Sequence, residues 1–340
     1  MSAPVTTAAE PTTPVDPEPI LRLASGFMAA KHLFAAHELG LFEALAEGPA
    51  RLDALAARTG LTSRAARISA DAMVALGLVE RDGVDGPYRN GAVAGAFLSG
   101  QGPADLRPLL TFWDRISYPA WSHLARALAT GPPTEILELD DELQAVASAG
   151  IEAILAGPAS ALPAAVDLRG RRRLLDVGGG TGSWSIAAVR ATEQLTATVL
   201  ELPAVAALAR ERAAAAGLAR RVDVVVGDAL TGDLPSGHDV FLLANVAHYW
   251  SPATNRAVLD RLRRVAPPDG LLLLADFWTD AGHARPVQAA MMAGEFAVHL
   301  ADGDVYSVDE VGGWLAQTGW RVDGHHPLVG PQSVVVARAV

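Results

Sequence analysis

Three carboxylates and a glycine turn carry the most chemistry in this sequence. Asp176 closes an apolar run and leads into Gly178-Gly179-Gly180-Thr181-Gly182, Glu201 closes the next such run, and Asp228 follows the third in Val226-Gly227-Asp228-Ala229. A glycine-rich turn between a strand and its helix lets a ligand lie against the backbone, facing the helix N–H groups. An acid at the end of the second strand can accept both hydroxyls of a ribose, and one at the end of the third meets an adenine amino group. Each acid alone fits an ordinary strand-end or helix-cap residue, whereas three on one sheet edge point to a nucleoside. A dinucleotide fingerprint would put its third glycine where Ser183 stands, and Asp176 sits awkwardly beside a pyrophosphate. A carboxylate there suits a ligand bearing an ammonium and a sulfonium.

A second set lies downstream. His248 follows the fourth apolar run, and Glu295-Phe296-Ala297-Val298-His299 puts a carboxylate and an imidazole four apart on a helix that begins near Arg285, hence on one face. With His248 they would form a two-His, one-carboxylate set able to hold a metal ion and leave positions open for a chelating substrate. A Glu–His ion pair, or a His packed on a core face, is the simpler account of that spacing on its own. Arg115, amid Phe112, Trp113, Tyr118 and Trp121, is the candidate to neutralise a substrate carboxylate. A surface salt bridge is its alternative, and aromatics so spaced also read as core.

The elements that must position these residues follow from periodicity. Residues 174–177, 197–200, 223–226, 240–243 and 271–275 are short apolar runs fit for buried parallel strands, separated by Ala-rich helical stretches. Residues 320–323 and 333–339, around a Gly-Pro turn, read as a closing antiparallel hairpin. The expected fold is α/β, a doubly wound Rossmann-like domain over 167–340. Residues 103–166 read as a helical linker and substrate-pocket region. Within 19–102, two short helices at 52–56 and 62–68 and a hairpin at 78–90 give a winged-helix-like outline. The apolar helix Ile20–Leu41, with Phe27, Met28, Leu33 and Phe34, would pack across a two-fold axis or inside its own domain. Residues 1–18, rich in Pro, Thr, Ala and Glu, read as a disordered tail.

Composition narrows the partners. The net charge of −11 argues against nucleic acid or an anionic membrane. Arg171, Arg172 and Arg173 form the one run of three basic residues, and it precedes a strand. A winged helix raises DNA binding, and with it a metabolite-sensing transcriptional regulator, but the second helix offers only Arg64 and Arg67. The absence of cysteine excludes disulfides, thiolate metal sites and cysteine nucleophiles. No stretch approaches the roughly 18 uninterrupted apolar residues of a membrane helix, and the opening residues lack signal-peptide order, so a cytoplasmic protein is expected.

The motifs L-L-D-V-G-G-G-T-G at 174–182, L-E-L-P at 200–203, G-D-A at 227–229 and N-V-A-H-Y-W at 245–250 resemble the class I S-adenosylmethionine-dependent methyltransferases of the small-molecule O-methyltransferase type, which include caffeate and bacterial polyketide enzymes. The resemblance runs from about residue 20 to the end. It implies S-adenosylmethionine as cofactor, with Asp176, Gly178 and Gly180 around the methionine moiety, Glu201 at the ribose, and Asp228 with Ala229 at the adenine. It also implies a homodimer formed through the N-terminal domain, and His248 as general base. The family usually has Asp after that His, where this chain has Tyr249.

A narrower resemblance joins His248, the Glu295–His299 helix and Gly303-Asp304-Val305-Tyr306-Ser307 to the metal-containing α-keto acid C-methyltransferases of peptide antibiotic pathways. It implies zinc or iron held by His248, Glu295 and His299, with the metal stabilising an enolate whose β-carbon is methylated. Metal-assisted C-methylation of a small α-keto acid in secondary metabolism is the expectation carried forward. Its alternative is a metal-free O-methyltransferase acting on a phenolic or polyketide hydroxyl, with His248 as base.

Overall fold

The computed structural model describes residues 15–132 and 136–340. Of the segment expected to be a disordered tail, residues 1–14 lie outside the described residues, and a helix begins at Glu18. The chain divides into two compact units, Met1–Asp105 and Leu106–Val340.

The first unit is helical with a small antiparallel hairpin. Its elements are α1 (Glu18–Glu38), α2 (Leu41–Ala46), α3 (Leu52–Thr59), α4 (Ser63–Ala75), β1 (Val79–Arg81), β2 (Tyr88–Asn90) and α5 (Ala92–Phe97). Thr62 caps α4 by accepting the Ala65 N–H at 3.2 Å, one of the donors that a helix start leaves unpaired. Leu41, Phe42, Leu55 and Met73 are fully buried and form the core. The hairpin is tied to α4 by Asp71, whose Oδ1 accepts from Arg81 and from the Tyr88 hydroxyl, each at 2.8 Å. On α1 only Phe34 and Ala36 are buried, while Ile20, Leu21, Leu23, Phe27 and Met28 are exposed.

The second unit opens with α6 (Arg107–Phe112), a π-helical turn (Trp113–Ser117), α7 (Tyr118–Trp121), α8 (Leu124–Thr130) and the long α9 (Asp141–Ala165). There follow β3 (Arg173–Val177), α10 (Ser183–Ala191), β4 (Thr196–Glu201), α11 (Pro203–Ala215), β5 (Val222–Val226), β6 (Val240–Ala244), α12 (Pro252–Val265), β7 (Leu271–Asp276), α13 (Val287–Ala297), α14 (Val308–Gln317), β8 (Trp320–Pro327) and β9 (Ser333–Ala339). The sheet order is β5-β4-β3-β6-β7-β9-β8. The first five of these strands are parallel, and β9 inserts antiparallel between β7 and β8. The expected hairpin is therefore present, with its second strand innermost.

Alternation along each strand divides the core in two. Leu174, Val199, Val224, Leu242 and Leu273 pack with Leu162, Trp184 and Val189 from α9 and α10. Leu175, Leu200, Phe241, Leu243 and Leu272 pack with Val258 and Leu262 of α12 and Trp314 and Leu315 of α14. The three-arginine run serves the strand entrance, where the Asp239 carboxylate accepts the backbone N–H groups of Arg172 and Arg173. By length and composition α9 is apolar enough to cross a membrane; here it packs against α6 and α10.

Leu242 is fully buried on the central strand β6. Leu242→Ala is expected to lower stability by about 3 kcal/mol, the usual cost of a cavity left by a core leucine. A urea midpoint unchanged from the parent chain would show that this sheet face is not the packed core described above.

Candidate active site

The ends of β3, β4, β5 and β6 open onto a cavity of about 420 Å³. Its floor is the glycine turn between β3 and α10, and its walls include Glu201, Asp228, Ala229, Asn245, Val246, Tyr249 and Trp250. Gly178 and Gly180, both in the lining, hold φ of 63° and 56°, a backbone that side-chain-bearing residues rarely adopt. Glu201 accepts the Leu202 N–H, and burial pushes its carboxyl up despite backbone donors at Leu202 and Gly180. Asp228 accepts from the Leu230 N–H at 2.8 Å and the Thr231 hydroxyl at 2.6 Å. Thr231 and these backbone donors hold its carboxyl below the usual range.

Asp176 lies elsewhere than expected. It is fully buried and outside the cavity lining. A Cβ on Gly179 would come within 2.6 Å of its Cγ, so the carboxylate lies close under the turn. Oδ2 accepts from Ser185 at 2.7 Å, and Oδ1 is buried without a partner. The residue thus braces the loop and places an unpartnered carboxyl oxygen just below it. A cavity with carboxylates at two strand ends and a third under its floor fits a cationic nucleoside cofactor.

The outer wall was not legible in the sequence. Gln144, Ser148, Ile151, Glu152 and Leu155, one face of α9, line the cavity. Glu152 accepts the hydroxyls of Thr181 and Ser183 and pairs with Arg212, which fastens α9 to the glycine turn. A lone glutamate in an Ala-rich stretch carries no signal of this.

Beyond the cavity, His248 Nδ1 lies 2.7 Å from Asp276 Oδ1, and both residues are buried. The carboxylate end of β7 therefore supplies what the residue after His248 does not: an acceptor that fixes the Nδ1–H tautomer and frees Nε2. Asp276 was the functional residue missed. Its signal was the same as that of Glu201, an acid closing an apolar run. Tyr249 packs on the imidazole with ring centroids 4.8 Å apart, and burial pushes its phenol up to about 12. Phe296 stacks flat on the imidazole, with ring centroids 3.9 Å apart and planes within 4° of parallel.

Two expectations need correction. Among the described residues no three His, Cys, Asp or Glu side chains group as a metal site, and the set His248, Glu295 and His299 does not form one. Glu295 is already engaged: it accepts from Ser117 at Oε1 and from the Trp121 indole at Oε2, each at 2.5 Å. His299 Nε2 lies 3.3 Å from Oε1, near enough for an ion pair but without hydrogen-bond geometry. Burial pushes the Glu295 carboxyl up, but His299, Ser117 and Trp121 outweigh it and hold the group below its ordinary value. His248 keeps Nε2 free beside its Nδ1 contact with Asp276, but it does not group with Glu295 and His299 as a metal site. These residues do not fit a metal. Arg115 is likewise not a pocket residue. It is exposed and pairs with Glu142 at 2.7 Å, because its helical phase puts Phe112 and Ile116 inward instead.

The buried carboxyl under the glycine turn gives the site a pH signature. Burial pushes Asp176 up to about 7 from an ordinary 3.8, against the Ser185 hydrogen bond and with the nearby Glu201 adding to the rise. A carboxyl whose folded pKa is raised binds its proton more tightly when folded, so stability falls as pH climbs from about 4 to about 7. The cofactor-free chain should lose stability over that window, and Asp176→Asn should remove the loss. Urea midpoints at about pH 5 and about pH 8 report it, and equal slopes in both proteins would refute the assignment.

Comparison with known proteins places this geometry. Residues 128–321 match the O-methyltransferase domain model, and residues 21–100 match the O-methyltransferase dimerisation domain. The 3-hydroxy-5-methyl-1-naphthoate 3-O-methyltransferase of Streptomyces sahachiroi is 37% identical over 304 residues, covering 87% of each chain. The N,N-dimethyltransferase OxyT of Streptomyces rimosus is 31% identical over 326 residues, covering 92% of this chain and 94% of its own. The structure of the mitomycin 7-O-methyltransferase MmcR superposes with a TM-score of 0.79 at 28% identity, covering 95% of this chain and 97% of that one. With more than half of its length matched by the catalytic-domain model, the chain belongs to the O-methyltransferase family.

Proposed function

We propose that this chain is an S-adenosylmethionine-dependent O-methyltransferase of secondary metabolism, acting as a homodimer on a hydroxyl of a planar aromatic or polyketide acceptor. The observation that carries the reading is the buried His248–Asp276 pair. A phenol becomes a strong nucleophile only as its proton leaves, and a neutral imidazole nitrogen with its other N–H held by a carboxylate is built to take that proton. An amine acceptor needs no base, since its lone pair is already free. The likeness to an N,N-dimethyltransferase therefore weighs less here than the oriented base.

S-adenosylmethionine, when bound, supplies a methyl group on a positively charged sulfur. The residues that would hold it are the glycine turn, Glu201 at the sugar and the Asp228–Ala229 segment at the base, all lining the cavity. Asp276 keeps Nδ1 protonated, and Nε2 takes the acceptor's proton. Phe112, Trp113, Tyr249, Phe277 and Phe296 belong to the apolar cluster of this region or stack on its histidine; such surroundings exclude water and favour a flat apolar acceptor. The exposed apolar residues of α1 and the dimerisation-domain match support the homodimer. Metal-assisted C-methylation of an α-keto acid lacks its ligand set among the described residues.

His248→Ala is expected to lower methyl transfer to a hydroxynaphthoate on the order of 100- to 10,000-fold, with cofactor binding retained because His248 lies outside the cavity lining. Asp276→Asn should transfer methyl at a rate between those of the parent chain and His248→Ala. Transfer at the parental rate in His248→Ala, or turnover of an aminonaphthoate in preference to the hydroxy compound, would sink the O-methylation reading.

A further inference from the structure

The helix α13 is anchored by contacts that methyl transfer itself does not use. Glu295, buried at 8% exposure, receives two donors four residues apart on the neighbouring segment, the Ser117 hydroxyl and the Trp121 indole N–H. The preceding residue is Gly294, and a Cβ there would fall 2.8 Å from Trp121 Cη2. Only the lack of a side chain lets the indole lie close enough to reach the carboxylate. Ser117 closes the π-helical turn, a local widening that helices adopt where a side chain must be re-aimed. The following residue is Phe296, whose ring lies flat on the imidazole of His248 at 3.9 Å. Three consecutive residues of one helix thus link the segment 117–121 to the face of the base.

We propose that Glu295 is a positioning residue for His248, acting through Phe296; the proposal rests on the reading of His248 as the general base. By tying Ser117 and Trp121 to α13, Glu295 fixes the register in which Phe296 covers the imidazole. The stacked ring does two things. It holds the imidazole plane so that Nδ1 stays on Asp276, and it presents a π face to the imidazolium formed when the acceptor's proton is taken. The titratable groups on the elements packed around His248 are Asp276 from β7, Tyr249 from its own turn, Glu295 from α13 and His299 just past the end of that helix. Asp304, whose backbone N–H donates to the His248 carbonyl at 3.0 Å, completes them. Phe296 lies nearer and flatter on the ring than Tyr249 and carries no charge, so its loss should lower the basicity of the imidazole without changing any charge.

The test is an NMR titration of the His248 imidazole in the full-length chain. Phe296→Leu should move the midpoint down by about half a pH unit, the shift a lost cation–π contact gives. Glu295→Ala should move it the same way, and Trp121→Phe, which removes one donor and no charge, should move it less. In the double variant the shift should equal that of Phe296→Leu alone, and kcat of Glu295→Ala on a hydroxynaphthoate should fall by about 10-fold with cofactor affinity unchanged. A Glu295→Ala shift that persists on top of Phe296→Leu would mean a direct charge effect and overturn the relay. So would Glu295→Ala and Trp121→Phe titrations that match the parent chain. The imidazole titration needs no acceptor, so a chain that methylates no hydroxyl defeats the reading of its reaction while leaving this test intact.

Discussion

Both faces of the parallel sheet are covered by apolar side chains, so polar groups from different strands can meet only at the edge where the strands end. Asp176, Glu201, Asp228, Asn245 and Asp276 all stand at or just past a strand end. The division of labour among them follows from how far each projects. Asp176 stays below the turn and braces it, Glu201 and Asp228 border the cavity, and Asp276 turns toward His248. One packing constraint thus gathers both the cavity and the His248–Asp276 pair.

Much of this was legible because it depends on local pattern. The five parallel strands were readable as short apolar runs, and the glycine turn, Glu201 and Asp228 were readable as neighbours on one sheet edge, where they line one cavity. What pattern could not supply was partnership across the chain. Glu152 is separated from Thr181 by 29 residues and Asp276 from His248 by 28; nothing in either local sequence announces the contact. The order of the last two strands was hidden for the same reason. A hairpin is visible in sequence, but which of its strands meets β7 depends on which is apolar on both faces, and β9 is the more buried of the two.

The Glu295–His299 spacing shows the limit of face arguments. Residues four apart do share a helix face, and here the carboxylate and imidazole do lie side by side. The spacing says nothing of what else reaches that face. Ser117 and Trp121 arrive from 178 and 174 residues away and take both carboxylate oxygens, which leaves an anchored helix where a metal centre was expected. The simpler account of the motif, an ion pair at the core, is the nearer one, enlarged by two donors.

Tyr249 is unusual in serving two neighbours: it lines the donor cavity and packs on the imidazole. The cavity and the His248–Asp276 pair therefore share a wall one side chain thick. Neither α13 nor the segment 107–121 contributes to the donor cavity lining. A substitution in those helices leaves the cavity lining as it is, whereas one at position 249 changes the cavity wall and the packing on the imidazole at once.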